Sequence, residues 1–237
     1  MRVALVVPCY VPALRPGEAK AAERVLCALG DDVTLLQGRC CGQAPFNSGY
    51  RDEAQSAGRE FLRAVQPFEH AVMLSGSCIA MVQHYLPAMF EGTRRDAAAA
   101  IGARISDLAT YIANHPNGGT LRLHIEGTVA YHDACHVRRE LHATTATVTL
   151  LESIDGLDLR RLTHEEECCG FGGSFAVKLP EVSTTIMRAK LNDVAGTGAR
   201  VLVGDLSCIT HLQAGANGLG QSLETWTLAE LLAEALP

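Results

Sequence analysis

The chain has 237 residues, 48% hydrophobic and 19% charged, a globular composition that excludes disorder, collagen and coiled coil and leaves room for one large or two modest domains. Twenty basic against 26 acidic residues give a net charge of −6, and only Lys20, Lys178 and Lys190 are lysines, so no phosphate-tracking surface and no nucleic-acid partner are expected. The apolar run Val3–Val7 is stopped by Pro8, and the least charged stretch, residues 71–90, carries Ser75, Gly76, Ser77, Gln83, His84 and Pro87; neither a signal peptide nor a membrane span is expected, and the expected location is cytoplasmic.

In chain order, short β-branched runs alternate with segments of helical spacing. Strands are expected at Val3–Pro8, Val33–Leu36 and Ala71–Ser75, and helices near Glu18–Leu29, Arg51–Val65, Ile79–Phe90 and Ile101–Ala113. His115-Pro116-Asn117-Gly118-Gly119 reads as a linker, which divides the chain into residues 1–118 and 119–237. Leu121–Ile125 is expected to add a strand. Beyond it, strands at Val129–His132, Leu159–Thr163 and Arg200–Gly204 alternate with helices near Thr144–Ser153, Glu181–Ala195 and Ile209–Ala216. This alternation predicts an α/β fold of two tandem Rossmann-like lobes with parallel sheets.

The nine cysteines show that the lobes are related. Without Cys27, which sits in an apolar helical stretch and reads as a core residue, they form two quartets of single, double, single design: Cys9, Cys40, Cys41, Cys78 and Cys135, Cys168, Cys169, Cys208. The first gap is 31 residues in one half and 33 in the other, and the last gap is 37 and 39. Each pair is followed by glycine, Gly42 or Gly170. Such agreement indicates an internal duplication. Every cysteine falls just after an expected strand, so each quartet should converge at the carboxyl edge of its own sheet. Four thiolates bind zinc or an iron–sulfur cluster. The C-x-x-C knuckles usual in structural zinc sites are missing, and adjacent thiolates suit a polynuclear centre better than one tetrahedral ion. The two glycines supply the freedom for a sharp bend around it.

The repeated pattern resembles the CCG cysteine-rich domains found in heterodisulfide reductase, in the iron–sulfur component of glycolate oxidase and in anaerobic glycerol-3-phosphate dehydrogenase. It is most similar to the lactate utilization protein A group, through Cys40-Cys41-Gly42-Gln43, Asn47-Ser48-Gly49-Tyr50, Ser75-Gly76-Ser77-Cys78, Tyr131-His132, Cys168-Cys169-Gly170-Phe171-Gly172-Gly173-Ser174-Phe175, Val177-Lys178 and Asp205-Leu206-Ser207-Cys208. The resemblance implies an iron–sulfur electron-transfer protein that works with two partner proteins in oxidising L-lactate to pyruvate. In the heterodisulfide reductase relatives the last motif of each half is C-x-x-C. Here Ser75 and Asp205 hold the earlier position, which leaves four cysteines per site, enough for an ordinary 4Fe–4S cluster. A thiol/disulfide redox enzyme of the heterodisulfide kind and a zinc-stabilised scaffold are the rival readings.

His132, His136, His164 and His211 crowd the second quartet. Local hydrogen bonding is the commoner fate of such residues, and cluster ligation or donation to cluster sulfur is the other reading. Glu165, Glu166 and Glu167 precede the second pair, where Arg39 precedes the first; uncompensated negative charge would lower the potential of the second cluster. No G-x-S-x-G, H-E-x-x-H or P-loop is present.

Overall fold

The apolar runs become the inner strands of two parallel sheets in the computed structural model, which describes residues 1–237. The chain divides into two units, Met1–Thr120 and Leu121–Pro237. In the first, β1 (Arg2–Pro8) leads through α1 (Val11–Leu14) and α2 (Glu18–Ala28) to β2 (Asp32–Arg39), then through α3 (Gln43–Asn47) and α4 (Arg51–Val65) to β3 (His70–Met73). After α5 (Gly76–Ala80) the chain passes a π turn and a 3-10 turn to α6 (Gly92–Gly102), β4 (Ile105–Ser106) and α7 (Leu108–Asn114). The second unit runs β5 (His124–His132), α8 (Cys135–Arg139), α9 (Thr144–Glu152), β6 (Asp155–Arg161), α10 (Ser174–Lys178), α11 (Pro180–Gly196), β7 (Val201–Gly204), α12 (Leu206–Gly218), β8 (Glu224–Thr227) and α13 (Leu228–Ala235).

The sheet orders are β2-β1-β3-β4 and β6-β5-β7-β8, every pairing parallel. The two units therefore repeat one doubly wound topology. In each, the chain leaves the central strand to one side and returns to pair on the other, which opens a crevice at the carboxyl ends of β1 and β3, or of β5 and β7. The central strands are buried where they approach that crevice, from Val3 to Val7 and from Val129 to His132. A strand covered on both faces must be apolar, and β1 is so from Val3 onward, after the exposed Arg2.

Several elements differ from the sequence expectation, each for a local reason. The segment expected as one helix over Ile101–Ala113 is interrupted, because Ile105 pairs with Ala71 at the sheet edge and Asp107 starts α7 by accepting from the Thr110 amide at 2.9 Å. The helix expected at Ile79–Phe90 loosens into a π turn, with the Leu86 amide donating five residues back to Met81, just before Pro87, which has no amide to donate. Leu121–Ile125 is not a separate strand; only its last two residues belong to β5. Cys27 is exposed on α2, not in the core. The strand β8 and helix α13 were not expected, although Thr227 and Glu230 make a capping box that marks the start of α13.

The stretch read as a linker is packed on the first unit. His115 reaches Asp31 at 3.2 Å, and the Asn117 side chain donates to the Leu29 carbonyl at 2.8 Å. Asp31 is buried and also accepts from the Tyr111 hydroxyl at 2.7 Å and the Met1 ammonium at 2.6 Å. Burial pushes its carboxyl up, but the hydrogen bonds from Met1, Tyr111 and His115 outweigh this and hold it below the usual range. Replacing Asp31 by Ala strands two buried partners and is expected to cost about 2–3 kcal/mol in denaturant unfolding. A lowered carboxyl stabilises the fold above the ordinary carboxylate range, so the difference from the parent should shrink as the pH falls below about 4.

Candidate metal centre

Adjacent residues on an extended chain point to opposite sides, so two neighbouring sulfurs can share a site only if the backbone turns. Both turns are made in the same way. Gly42 has φ +87° and Gly170 φ +89°, in the left-handed region. A Cβ on Gly42 would lie 2.6 Å from the Ala54 carbonyl oxygen of α4, and one on Gly170 would lie 2.5 Å from the Ser183 carbonyl oxygen of α11. Conformation and contact therefore both demand glycine. In each turn the glycine amide donates to the first sulfur of the pair, Gly42 to Cys40 Sγ at 3.4 Å and Gly170 to Cys168 Sγ at 3.3 Å. Phe171 adds a bond to Cys169 Sγ at 3.5 Å. Amides aimed at sulfur favour the thiolate, the form that binds metal.

The last cysteine of each quartet is carried in the first turn of a helix, and the position before it matters. Ser75 accepts from the Cys78 amide at 3.4 Å, and Asp205 accepts from the Ser207 amide at 3.1 Å and its hydroxyl at 2.7 Å. These residues, which stand where the heterodisulfide reductase relatives have a further cysteine, are helix N-caps here.

In the second unit all four thiols meet in a chain of contacts. Cys135 contacts Cys168, Cys168 contacts Cys169, and Cys169 contacts Cys208. Cys169 and Cys208 are buried in the apolar cluster with Ala130, Leu202, Ile209 and Leu212. The crowding splits their acidities. Hydrogen bonds from Cys135 and Cys169 hold Cys168 low, and the Cys169 thiol, with His132 beside it, lowers Cys208; Cys135 and Cys169 are pushed up by the sulfurs they donate to and by burial. In the first unit Cys40 is in contact with Cys9 and close to Cys78, and burial, the largest influence on it, pushes its thiol up. Cys41 and Cys78 are buried, whereas Cys9 is exposed. Two sets of thiols, partly shielded from water and met by backbone N–H groups, suit a thiophilic metal.

The second site is wired by polar residues that the sequence did not reveal. Asp133 is buried and accepts from the Thr144 hydroxyl at 2.7 Å, the Arg138 guanidinium at 3.2 Å and the Tyr131 hydroxyl at 3.3 Å, fixing the turn into Cys135. Lys190, fully buried in α11, donates to the His164 carbonyl and lies 3.7 Å from Asp193, whose carboxylate accepts from the Thr163 and His164 amides at 2.9 Å. This clamp fixes the loop that leads into Cys168. The acidic run is partly neutralised, because Glu165 is paired with Arg161 at 2.6 Å and lies 3.7 Å from Arg138, while Glu166 and Glu167 are exposed to solvent. Of the four histidines near the quartet, His211 approaches the Ser183 hydroxyl at 3.4 Å and His136 pairs with Glu140 at 3.6 Å. His132 is different. It is fully buried, and neither ring nitrogen has a nitrogen or oxygen partner.

The cysteine-rich CCG domain family matches residues 3–83 and 129–213, one match in each half. The chain is 30% identical to lactate utilization protein A 2 of Bacillus cereus (strain Q1) over 240 residues, covering 100% of this chain and 99% of that protein. It is 32% identical to lactate utilization protein A of Bacillus pumilus (strain SAFR-032), covering 98% of this chain and 99% of the other. Among solved structures it is similar to a putative Asp/Glu racemase from Yersinia pestis, with a TM-score of 0.41 and 12% identity over 99% of this chain and 97% of that one.

Gly42→Ala and Gly170→Ala each force a side chain into left-handed backbone and against a helix carbonyl. Each is expected to lower unfolding free energy by about 2 kcal/mol or more, read by chemical denaturation. A loss no larger than that of an exposed Gly→Ala change elsewhere would show that the turn relaxes freely.

Proposed function

The chain belongs to the lactate utilization protein A family of cysteine-rich CCG proteins, and we propose that it is the iron–sulfur electron-transfer component of a system that oxidises L-lactate to pyruvate. The observation that carries this reading is the pair of like-built thiol quartets at the carboxyl edges of two like sheets. Cys9, Cys40, Cys41 and Cys78 would hold one cluster, and Cys135, Cys168, Cys169 and Cys208 the other, each a 4Fe–4S centre. Gly42 and Gly170 lead the backbone around them. When bound, such a cluster supplies a one-electron carrier. The chain's own residues do the rest: buried Cys41, Cys78, Cys169 and Cys208 keep water from the sulfurs, and the Gly42, Gly170 and Phe171 amides donate to sulfur and favour the thiolate against the burial that opposes it.

Removing a hydride equivalent from a 2-hydroxy acid needs a two-electron acceptor and a base set against the substrate, work that an organic cofactor normally carries. On this reading the dehydrogenation belongs to one of two partner proteins, and this chain passes electrons onward. No helix is long and apolar enough to cross a membrane, and nine unpaired cysteines suit the reducing conditions of the cytoplasm. The zinc-scaffold reading draws support from His132, Cys169 and Cys208, whose ligand atoms lie within 4.8 Å of one another, a spacing that one tetrahedral ion also fits.

Anaerobic metal analysis separates the two readings, since iron with acid-labile sulfide supports electron transfer and about one zinc per quartet supports the scaffold. Cys41→Ala or Cys169→Ala should remove about half the iron and leave the other half's signal; a full complement after either change would refute the ligand assignment. Supplied with L-lactate and an artificial acceptor, the purified, cluster-loaded chain should show no steady turnover until partner proteins are added.

A further inference from the structure

His132 is the last residue of β5 and pairs with Gly204 of β7. Its ring is fully buried, and no nitrogen or oxygen atom partners either ring nitrogen. Sulfur is the only polar neighbour of the ring, through Cys208, so at least one ring nitrogen is left without a partner, a burden of about 1–3 kcal/mol. Beside the ring stand the sulfurs of Cys169 and Cys208, and a nitrogen of His132 with those two sulfurs forms a set within 4.8 Å of one another. A buried imidazole beside two thiols adds a nitrogen donor to the sulfurs already gathered there.

The duplication shows that this is a departure and not a feature of the fold. Met73 of β3 pairs with Val6 and lies five residues before Cys78; Val203 of β7 pairs with Tyr131 and lies five before Cys208. Val6 thus corresponds to Tyr131, and Val7 to His132. Val7 is as buried as His132 but apolar, so the first unit offers nothing but thiols at this point and the fold does not require an imidazole there.

We propose that His132 is a fifth protein ligand of the metal centre in the second unit, so that the two halves hold chemically distinct centres, thiolate-only in the first and thiolate with imidazole in the second. The inference rests on the iron–sulfur reading above. As a ligand the ring would give one nitrogen lone pair to iron and keep a proton on the other nitrogen, so it would add no charge to the buried site.

The test labels histidine alone with nitrogen-15 and records pulsed EPR of the chemically reduced protein. A nitrogen-15 hyperfine coupling is expected in the unmutated chain. It should be lost in His132→Val, which installs the first unit's residue, while the iron of the first centre remains. His136→Ala, His164→Ala and His211→Ala should each keep the coupling, which leaves His132 as its source beside the second quartet even if His132→Val does not fold. Iron and labile sulfide present with no histidine coupling, coupling that persists in His132→Val, or loss of it in His136→Ala, His164→Ala or His211→Ala would each overturn the inference and leave the electron-transfer reading standing. Lack of iron and sulfide in the unmutated protein would instead overturn that reading and this ligand assignment with it.

Discussion

The turn after each cysteine pair is the constraint on which both sites depend. Two adjacent sulfurs face one pocket only if the chain reverses at once, and the reversal here uses a left-handed glycine pressed against a helix backbone, where a Cβ would lie only 2.6 Å from a carbonyl oxygen in one unit and 2.5 Å in the other. The helix is therefore part of the site. Because α4 and α11 approach so closely, the glycine amide is directed back at the first sulfur, and the second cysteine is driven inward, where Cys41 and Cys169 are buried. The parallel sheet supplies the other two thiols through the ends of its central strand and the next.

Around that shared turn the two units have diverged in chemistry while keeping shape. Ala54 corresponds to Ser183, so seven residues further on Phe61 of α4 corresponds to Lys190 of α11, and both are fully buried. In the first unit Cys40 follows β2 directly, and a phenyl ring fills the space. In the second, six residues separate β6 from Cys168, and a loop of that length exposes backbone groups that need partners. Lys190 and Asp193 provide them. A buried lysine is tolerated because both its carbonyl and carboxylate partners are in place. The same logic separates Pro8 from Asp133 at the turn into the first cysteine.

The sequence carried the architecture because parallel sheets write themselves as repeated apolar runs, and it carried the quartets because cysteine is rare enough for its spacing to be informative. Where it misled, a short-range signal was overridden by pairing or packing. Ile105 looks helical by spacing, but the edge of the sheet takes it as a strand residue. His115 to Gly119 looks like a linker by composition, but Asp31 and the Leu29 carbonyl hold it to the first unit. Single-turn helices such as α1, α3, α8 and α10 are too short to show a period. Lys190 and Asp133 were illegible for a different reason, since burial of a charged side chain depends on partners that lie far away in the chain or around a turn.

Charge order along the chain is a poor guide to the field at the second site for the same reason. Three consecutive glutamates suggest a site that resists an electron, yet Glu165 is paired with Arg161 and lies near Arg138, which also binds Asp133. Exposed charges beyond that are screened within about 10 Å at ordinary ionic strength. A stronger difference between two metal centres would come from the atoms in direct contact with the metal, where no water intervenes. Histidine in place of cysteine raises the potential of a two-iron centre because a neutral ligand replaces an anionic one, whereas an imidazole added to a full set of thiolates leaves the ligand charge unchanged. On the proposed ligation by His132, the two halves therefore carry equal ligand charge and differ in the kind of donor atom, a difference that the order of surface charge along the chain does not contain.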